Sequence, residues 1–222
     1  VVALLACIAL FHTAQGWLFD HAIMTSELQP ISARKMAAAR DWFNRHGYSI
    51  AKLSSMPVEE RAKRLTFLTY RFCTPGNMGG PNLSRLYQKC ETTCGGYAYV
   101  YRGLAKVVGI ETRFADFYTI PLQGNHTAIE VSLPDKKWGF VDPTFGVVFT
   151  TTGRPEGRLM SLAEVVSLPA RALSHHVVQA TKSARTPFSA TLLQQFGAAF
   201  SHSGMPISNY SSSEAISHDM PQ

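Results

Sequence analysis

The chain is sparing with charge and with cysteine. Of its 222 residues only 16% are Asp, Glu, Lys or Arg, four are cysteine, and 45% are apolar. That balance excludes disorder of the ordinary kind, which goes with few apolar residues and a high net charge. Four cysteines in a chain of this length also exclude a mini-protein that relies on disulfides in place of a core. No internal repeat is present, and no apolar run reaches the ~20 residues of a membrane-spanning helix. The length suits one globular domain, or one domain with a tail.

Acidic residues are the scarcer sign, 15 Asp and Glu against 21 Lys and Arg, for a net charge of +6. The surplus lies between Ile31 and Arg113, where 14 basic residues face 5 acidic ones, while the last 22 residues carry only Glu214 and Asp219. Nucleic-acid binding calls for basic runs interleaved with aromatics. The longest clusters, Arg34-Lys35 and Arg61-Ala62-Lys63-Arg64, fit ordinary helix faces. No nucleic-acid partner is expected, and the charge reads as solubility or attraction to anionic surfaces.

Residues 1–19 are free of Asp, Glu, Lys and Arg, with an apolar block from Val1 to Phe11. The block has the character of an export-signal core. Ala14-Gln15-Gly16 supplies a small-x-small cleavage site, and Leu4-Leu5-Ala6-Cys7 loosely matches a lipoprotein box. The expectation is an exported, periplasmic or membrane-associated protein, with membrane association through this segment. The alternatives are an apolar helix packed on the domain or the stub of a longer upstream segment, and a cytoplasmic protein.

Helical periodicity predicts a helix over Ser32–Asn44, ended by His46-Gly47. A second helix follows Ser55, Pro57 and the acidic pair Glu59-Glu60, with Ala62, Leu65, Leu68 and Phe72 on one face. Thr74–Pro81 holds two prolines and three glycines and reads as a loop bordering a cleft. Cys94–Val108 is a buried helix with Thr92 or Thr93 as N-cap and Gly109 just past its end. Three strand-like runs come next, Glu111–Thr119, Thr127–Leu133 and Trp138–Val141. Helices followed by an antiparallel sheet make an α+β domain. The expected division is an apolar leader at 1–19, a catalytic domain at 20–150, a helical extension at 151–200 containing helices at Ser161–Leu168 and Ala190–Phe200, and a disordered tail at 201–222. In that tail seven of the seventeen residues from Ser201 to Ser217 are serine.

Three polar residues stand where nucleophilic catalysis would use them. Cys94 opens a helix, so its sulfur lies near unpaired backbone N–H groups and the positive end of the helix dipole, both of which favour thiolate. Gly95 and Gly96 leave room beside it. His126 can act as the base and Asp142 can orient its imidazole, which completes a nucleophile, base and orienter in chain order. Whether His126 and Asp142 meet depends on register. A four-residue turn at 134–137 would put Asp142 on the wrong face. An odd turn, for instance with Ser132 opposite Trp138, sets Asp142 opposite Ala128 and diagonal to His126. An odd-length hairpin loop with a bulge is therefore predicted.

The blocks Cys94-Gly95-Gly96-Tyr97-Ala98, Gly109-Ile110-Glu111-Thr112-Arg113, His126-Thr127-Ala128-Ile129-Glu130-Val131 and Trp138-Gly139-Phe140-Val141-Asp142-Pro143-Thr144 resemble the core of the transglutaminase-like superfamily, of microbial type. The resemblance covers roughly residues 60–150. It implies a papain-like α+β fold with the nucleophile helix packed on a small antiparallel sheet, and Cys94, His126 and Asp142 as nucleophile, base and orienter. Ala128 stands where bacterial members most often carry an aromatic. The implied chemistry is transfer or hydrolysis of an amide or ester acyl group through a Cys94 thioester, as protease, amidase or acyltransferase. The substrate would be a protein or peptide, or another amide or amine, and no cofactor is implied. Gln88, six residues before the Cys, is an oxyanion candidate beside the backbone N–H of Cys94. No Asp-x-Asp-x-Asp-Gly calcium loop occurs, so the calcium dependence of animal transglutaminases does not carry over.

Plainer readings stand beside these. The fold can persist as an inactive scaffold or binding module with a basic surface. Cys90 can pair with Cys94, or join Cys94 and His126 at a zinc, and Cys73 and Cys90 can form a structural disulfide in an exported domain. His175-His176 reads as a surface pair, Trp138 and Phe140 as core or triad-covering aromatics, and Tyr97 as helix packing.

Overall fold

A computed structural model of the chain describes residues 21–26, 31–76, 83–119, 125–180 and 208–209. The leader at 1–19, Gly79-Gly80, the helix expected at Ala190–Phe200 and all of the tail except Ser208–Asn209 lie outside the described residues.

After strand β1 (His21–Ser26) the helices begin. Helix α1 (Ala33–Arg45) starts where Ser32 Oγ accepts the Lys35 N–H, and the chain leaves it through Gly47, whose φ of +70° suits glycine. A short helix α2 (Ile50–Ser54) was not legible in the pattern; Ser49 caps it. Its presence corrects the reading of Ser55, which closes α2 by donating to Lys52 O and does not open the next helix. Helix α3 (Val58–Phe72) begins at Pro57 without a side-chain cap, its first turn carrying Glu59 and Glu60 near the positive end of the dipole.

Strand β2 (Thr74–Pro75) runs parallel to β3 (Glu91–Thr92), so part of the predicted loop is a short ladder. The Cys73–Cys90 disulfide stands immediately before both strands and ties the end of α3 to the approach to Cys94. Helix α4 (Cys94–Val107) follows Thr93 and turns out through Gly109 at φ +77°. The buried Arg61 guanidinium donates to Val108 O, satisfying a carbonyl at the end of α4. Gly96 through Ala105 are all buried, so α4 is the central helix, wrapped by α1 and α3 on one side and by the sheet on the other.

The sheet contains β4 (Thr112–Thr119), β5 (Asn125–Ser132), β6 (Trp138–Asp142), β7 (Val147–Phe149), β8 (Val177–Gln179) and β9 (Ser208–Asn209), in the order β8-β7-β6-β5-β4-β1-β9. Pairing is antiparallel from β8 to β1, and β9 lies parallel to β1. Between β7 and β8 run α5 (Leu162–Ser167), opened by a Ser161/Glu164 capping box, and α6 (Ala170–Leu173).

Side chains alternate between two cores. Phe114, Ile129, Val131, Val141 and Val148 join the helices α1, α3 and α4. Ala115, Ala128, Phe140, Val147 and Phe149 join Leu162, Val165 and Leu173 of the later helices. The result is an α+β fold with helices on both faces of an antiparallel sheet.

Candidate active site

The β5–β6 hairpin sets the register on which the site depends. Ser132 pairs with Trp138 across the five residues 133–137, an odd loop. The expected bulge is absent from the pairs 129–132 with 138–141; the turn is made instead by a 3-10 segment, Pro134–Lys136, with Lys136 at φ +57°. The local reversal thus supplies the geometry for which a bulge was expected. Asp142 then falls opposite Ala128 and diagonal to His126, and His126 Nε2 donates to Asp142 Oδ2 at 2.6 Å.

Asp142 is fully buried and held from its other side as well. Its Oδ1 accepts the backbone N–H groups of Thr144 at 2.9 Å and Phe145 at 3.3 Å, so the turn after Asp142-Pro143 fixes the carboxylate. That bonding leaves Nδ1 of His126 for Cys94, whose thiol hydrogen-bonds to the ring. Burial pushes the Cys94 thiol up. The hydrogen bond and positive charge of His126, with the backbone N–H groups of Thr127 and Gly95, outweigh burial and hold it below the ordinary thiol range. Burial likewise lowers His126, yet the charge and hydrogen bond of Asp142, with a smaller contribution from Cys94, push it up to about 10. The two shifts run in the directions that favour thiolate on Cys94 and imidazolium on His126.

Sequence reasoning missed two supports. Phe145 lays its ring beside the His126 imidazole, with centroids 5.1 Å apart. It takes the covering place considered for Trp138 and Phe140. Trp138 instead stacks under the Arg113 guanidinium at 4.2 Å, and Phe140 lies in the second core against Phe149. The signal for Phe145 was its place just after Asp142-Pro143-Thr144, where a tight turn must fold back on the preceding strand. The other support is Asp116, buried on β4, which accepts the Thr127 hydroxyl at 2.6 Å and steadies the residue whose backbone N–H reaches Cys94.

Beside Cys94 opens a cavity of about 470 Å³. The β2–β3 ladder supplies Pro75, Gly76 and Thr92, and α4 and its cap supply Tyr97 and Thr93. Thr144 and Phe145 complete it from the turn that holds Asp142. The glycine-rich loop therefore borders a cleft through Gly76, and Tyr97, though buried as packing, also reaches the wall.

Gln88 is exposed just past the 3-10 turn Leu83–Tyr87, its N–H bonded to Arg85 O, and it is not among the described residues that line the cavity. The disulfide removes Cys90 from both a pairing with Cys94 and a zinc site, and no cluster of three metal-ligating side chains occurs among the described residues. His175 is exposed, while the half-buried His176 donates from Nδ1 to Thr150 O. No described helix is long and apolar enough to cross a membrane.

The family model of the transglutaminase-like superfamily matches residues 58–143, a span that contains Cys94, His126 and Asp142. Comparison with curated proteins and with solved structures finds no match.

Proposed function

Residues 58–143 are a transglutaminase-like domain, and on that premise we propose that the protein is a thiol enzyme acting on amide or ester acyl groups through Cys94. The observation that carries this reading is the unbroken hydrogen-bonded chain from Cys94 through His126 to the buried Asp142. Cys94 thiolate attacks the acyl carbon while His126 passes its proton to the departing amine or alcohol, leaving a thioester. Water or a second amine then adds to the thioester, His126 takes its proton, and the thiolate leaves. Water makes the enzyme a protease or amidase, and an amine makes it an acyltransferase.

The substrate is a protein or peptide, or another amide. The Cys73–Cys90 disulfide supports an exported protein, since such bonds persist in oxidising compartments. The test is alkylation of Cys94 by iodoacetamide near neutral pH, followed by peptide mass spectrometry. Cys94 should react about tenfold or more faster than a small free thiol, and His126→Ala should remove most of that advantage. Equal rates for Cys94 and the free thiol, with and without His126, would sink the proposal. Capture of a labelled primary amine from an acylated enzyme, absent in Cys94→Ala, separates transfer from hydrolysis.

A further inference from the structure

The chain carries a net charge of +6, yet among the described residues none that lines the cavity beside Cys94 is Asp, Glu, Lys or Arg. Besides Cys94 and Gly76, the described residues that line it are Pro75, Thr92, Thr93, Tyr97, Thr144 and Phe145. We propose that this cavity seats the acyl group, taking an uncharged one and rejecting an acidic one. The inference rests on Cys94 being the nucleophile.

A carboxylate entering the cavity would lose water and meet no cation on the lining, and burying an unpaired charge is costly. The charges close by offer it nothing. At the floor the thiolate of Cys94 repels it, and the positive charge of His126 is already matched by Asp142 at 2.6 Å. Against Gly76 lies the side chain of Glu91, itself acidic and paired with Lys89 at 2.9 Å. Among the described residues, the basic surplus of the chain supplies no partner on the lining of this cavity. An apolar or carboxamide-bearing acyl group, by contrast, brings no charge to be desolvated there.

The test uses two maleimides of near-equal size, N-propylmaleimide and 3-maleimidopropionate, whose carboxylate is set away from the reacting carbons. The Cys94 sulfur adds across the ring double bond, the neighbouring carbon takes a proton, and nothing leaves. With each rate divided by that of mercaptoethanol, the neutral probe should react with Cys94 about tenfold or more faster than the anionic one. Thr93 is exposed on the rim and makes no side-chain capping bond, so it accepts replacement. Thr93→Arg should close the gap by supplying the missing cation, and Thr93→Gln, of similar reach without charge, should keep it. A change in Cys94 ionisation cancels in the ratio. Fast addition with no charge preference overturns this proposal alone, as does a gap that Arg leaves intact or Gln abolishes. Addition of both probes no faster than to mercaptoethanol fells the nucleophile reading and this one with it.

Discussion

Cys94 and His126 shift each other's protonation in opposite directions, and the shifts define a pH window. The thiol sits below its ordinary value chiefly because His126 and backbone N–H groups overcome burial, and His126 is pushed up to about 10 because the Asp142 carboxylate overcomes burial. Thiolate and imidazolium therefore coexist from the lowered thiol value up to about pH 10. Removing Asp142 acts on the upper edge. Asp142→Asn takes away the charge that raises His126, so its value falls toward the ordinary imidazole range, and the window should close from the alkaline side. His126→Gln acts on the lower edge, because burial is left to push the thiol up, and alkylation near neutral pH should fall about tenfold or more. The measurements are the rate of iodoacetamide alkylation of Cys94, which follows the thiolate, and the imidazole proton NMR of His126, both from pH 5 to about 10.5. Identical profiles for Asp142→Asn and the parent would show that the buried carboxylate does not set the imidazole.

The two glycines that follow Cys94 read alike in the sequence but occupy opposite surroundings in the helix. A methyl group on Gly95 meets nothing within 4 Å, whereas one on Gly96 would lie 2.1 Å from Thr92 Oγ1 and 2.4 Å from its Cγ2. Gly96 thus lets the start of α4 press against β3, the strand that forms part of the cavity wall. Gly95→Ala should leave stability unchanged or raise it by up to about 1 kcal/mol through helix propensity. Gly96→Ala should cost about 1–3 kcal/mol, since neither partner can move without displacing the helix start or the ladder. Urea unfolding of the two variants decides this, and equal stability would contradict the packing. The contrast also shows what sequence pattern conveys at this scale. Element type, the start of α4 at Cys94, the Gly109 exit and the odd β5–β6 loop were legible because each is set by neighbours in sequence. Phe145 over His126 and Asp116 under Thr127 were not, because each depends on how separate elements pack. The strands Val147–Phe149 and Val177–Gln179 were missed as well; three-residue runs lack the length for a periodic signal, and they pair only when the intervening segment folds back over the second core.

At the scale of the whole molecule, one covalent bond links the helical layer to the cavity. Cys73 caps the end of α3, and Cys90 precedes the strand that leads through Thr92 and Thr93 to Cys94, with the two sulfurs bonded across 17 residues of sequence. The closed loop contains Pro75 and Gly76, so the bond restricts one wall of the cavity as well as the unfolded chain. In the chain-entropy picture a loop of that length stabilises the fold by about 3 kcal/mol. Opening it has a further consequence peculiar to this site, for the Thr74–Glu91 and Pro75–Thr92 ladder has only two residue pairs and begins where the disulfide ends. The double variant Cys73→Ala/Cys90→Ala should therefore lose about 3 kcal/mol in urea unfolding and also react more slowly at Cys94 under conditions where it remains folded. Strong reductant should do the same to the parent while leaving the variant unaffected, although reductants ordinarily protect a thiol nucleophile. Loss of stability with undiminished Cys94 reactivity would confine the bond to the scaffold. Loss of both, reproduced by reductant only when Cys73 and Cys90 are present, would mean that the cavity wall holds its shape through that bond.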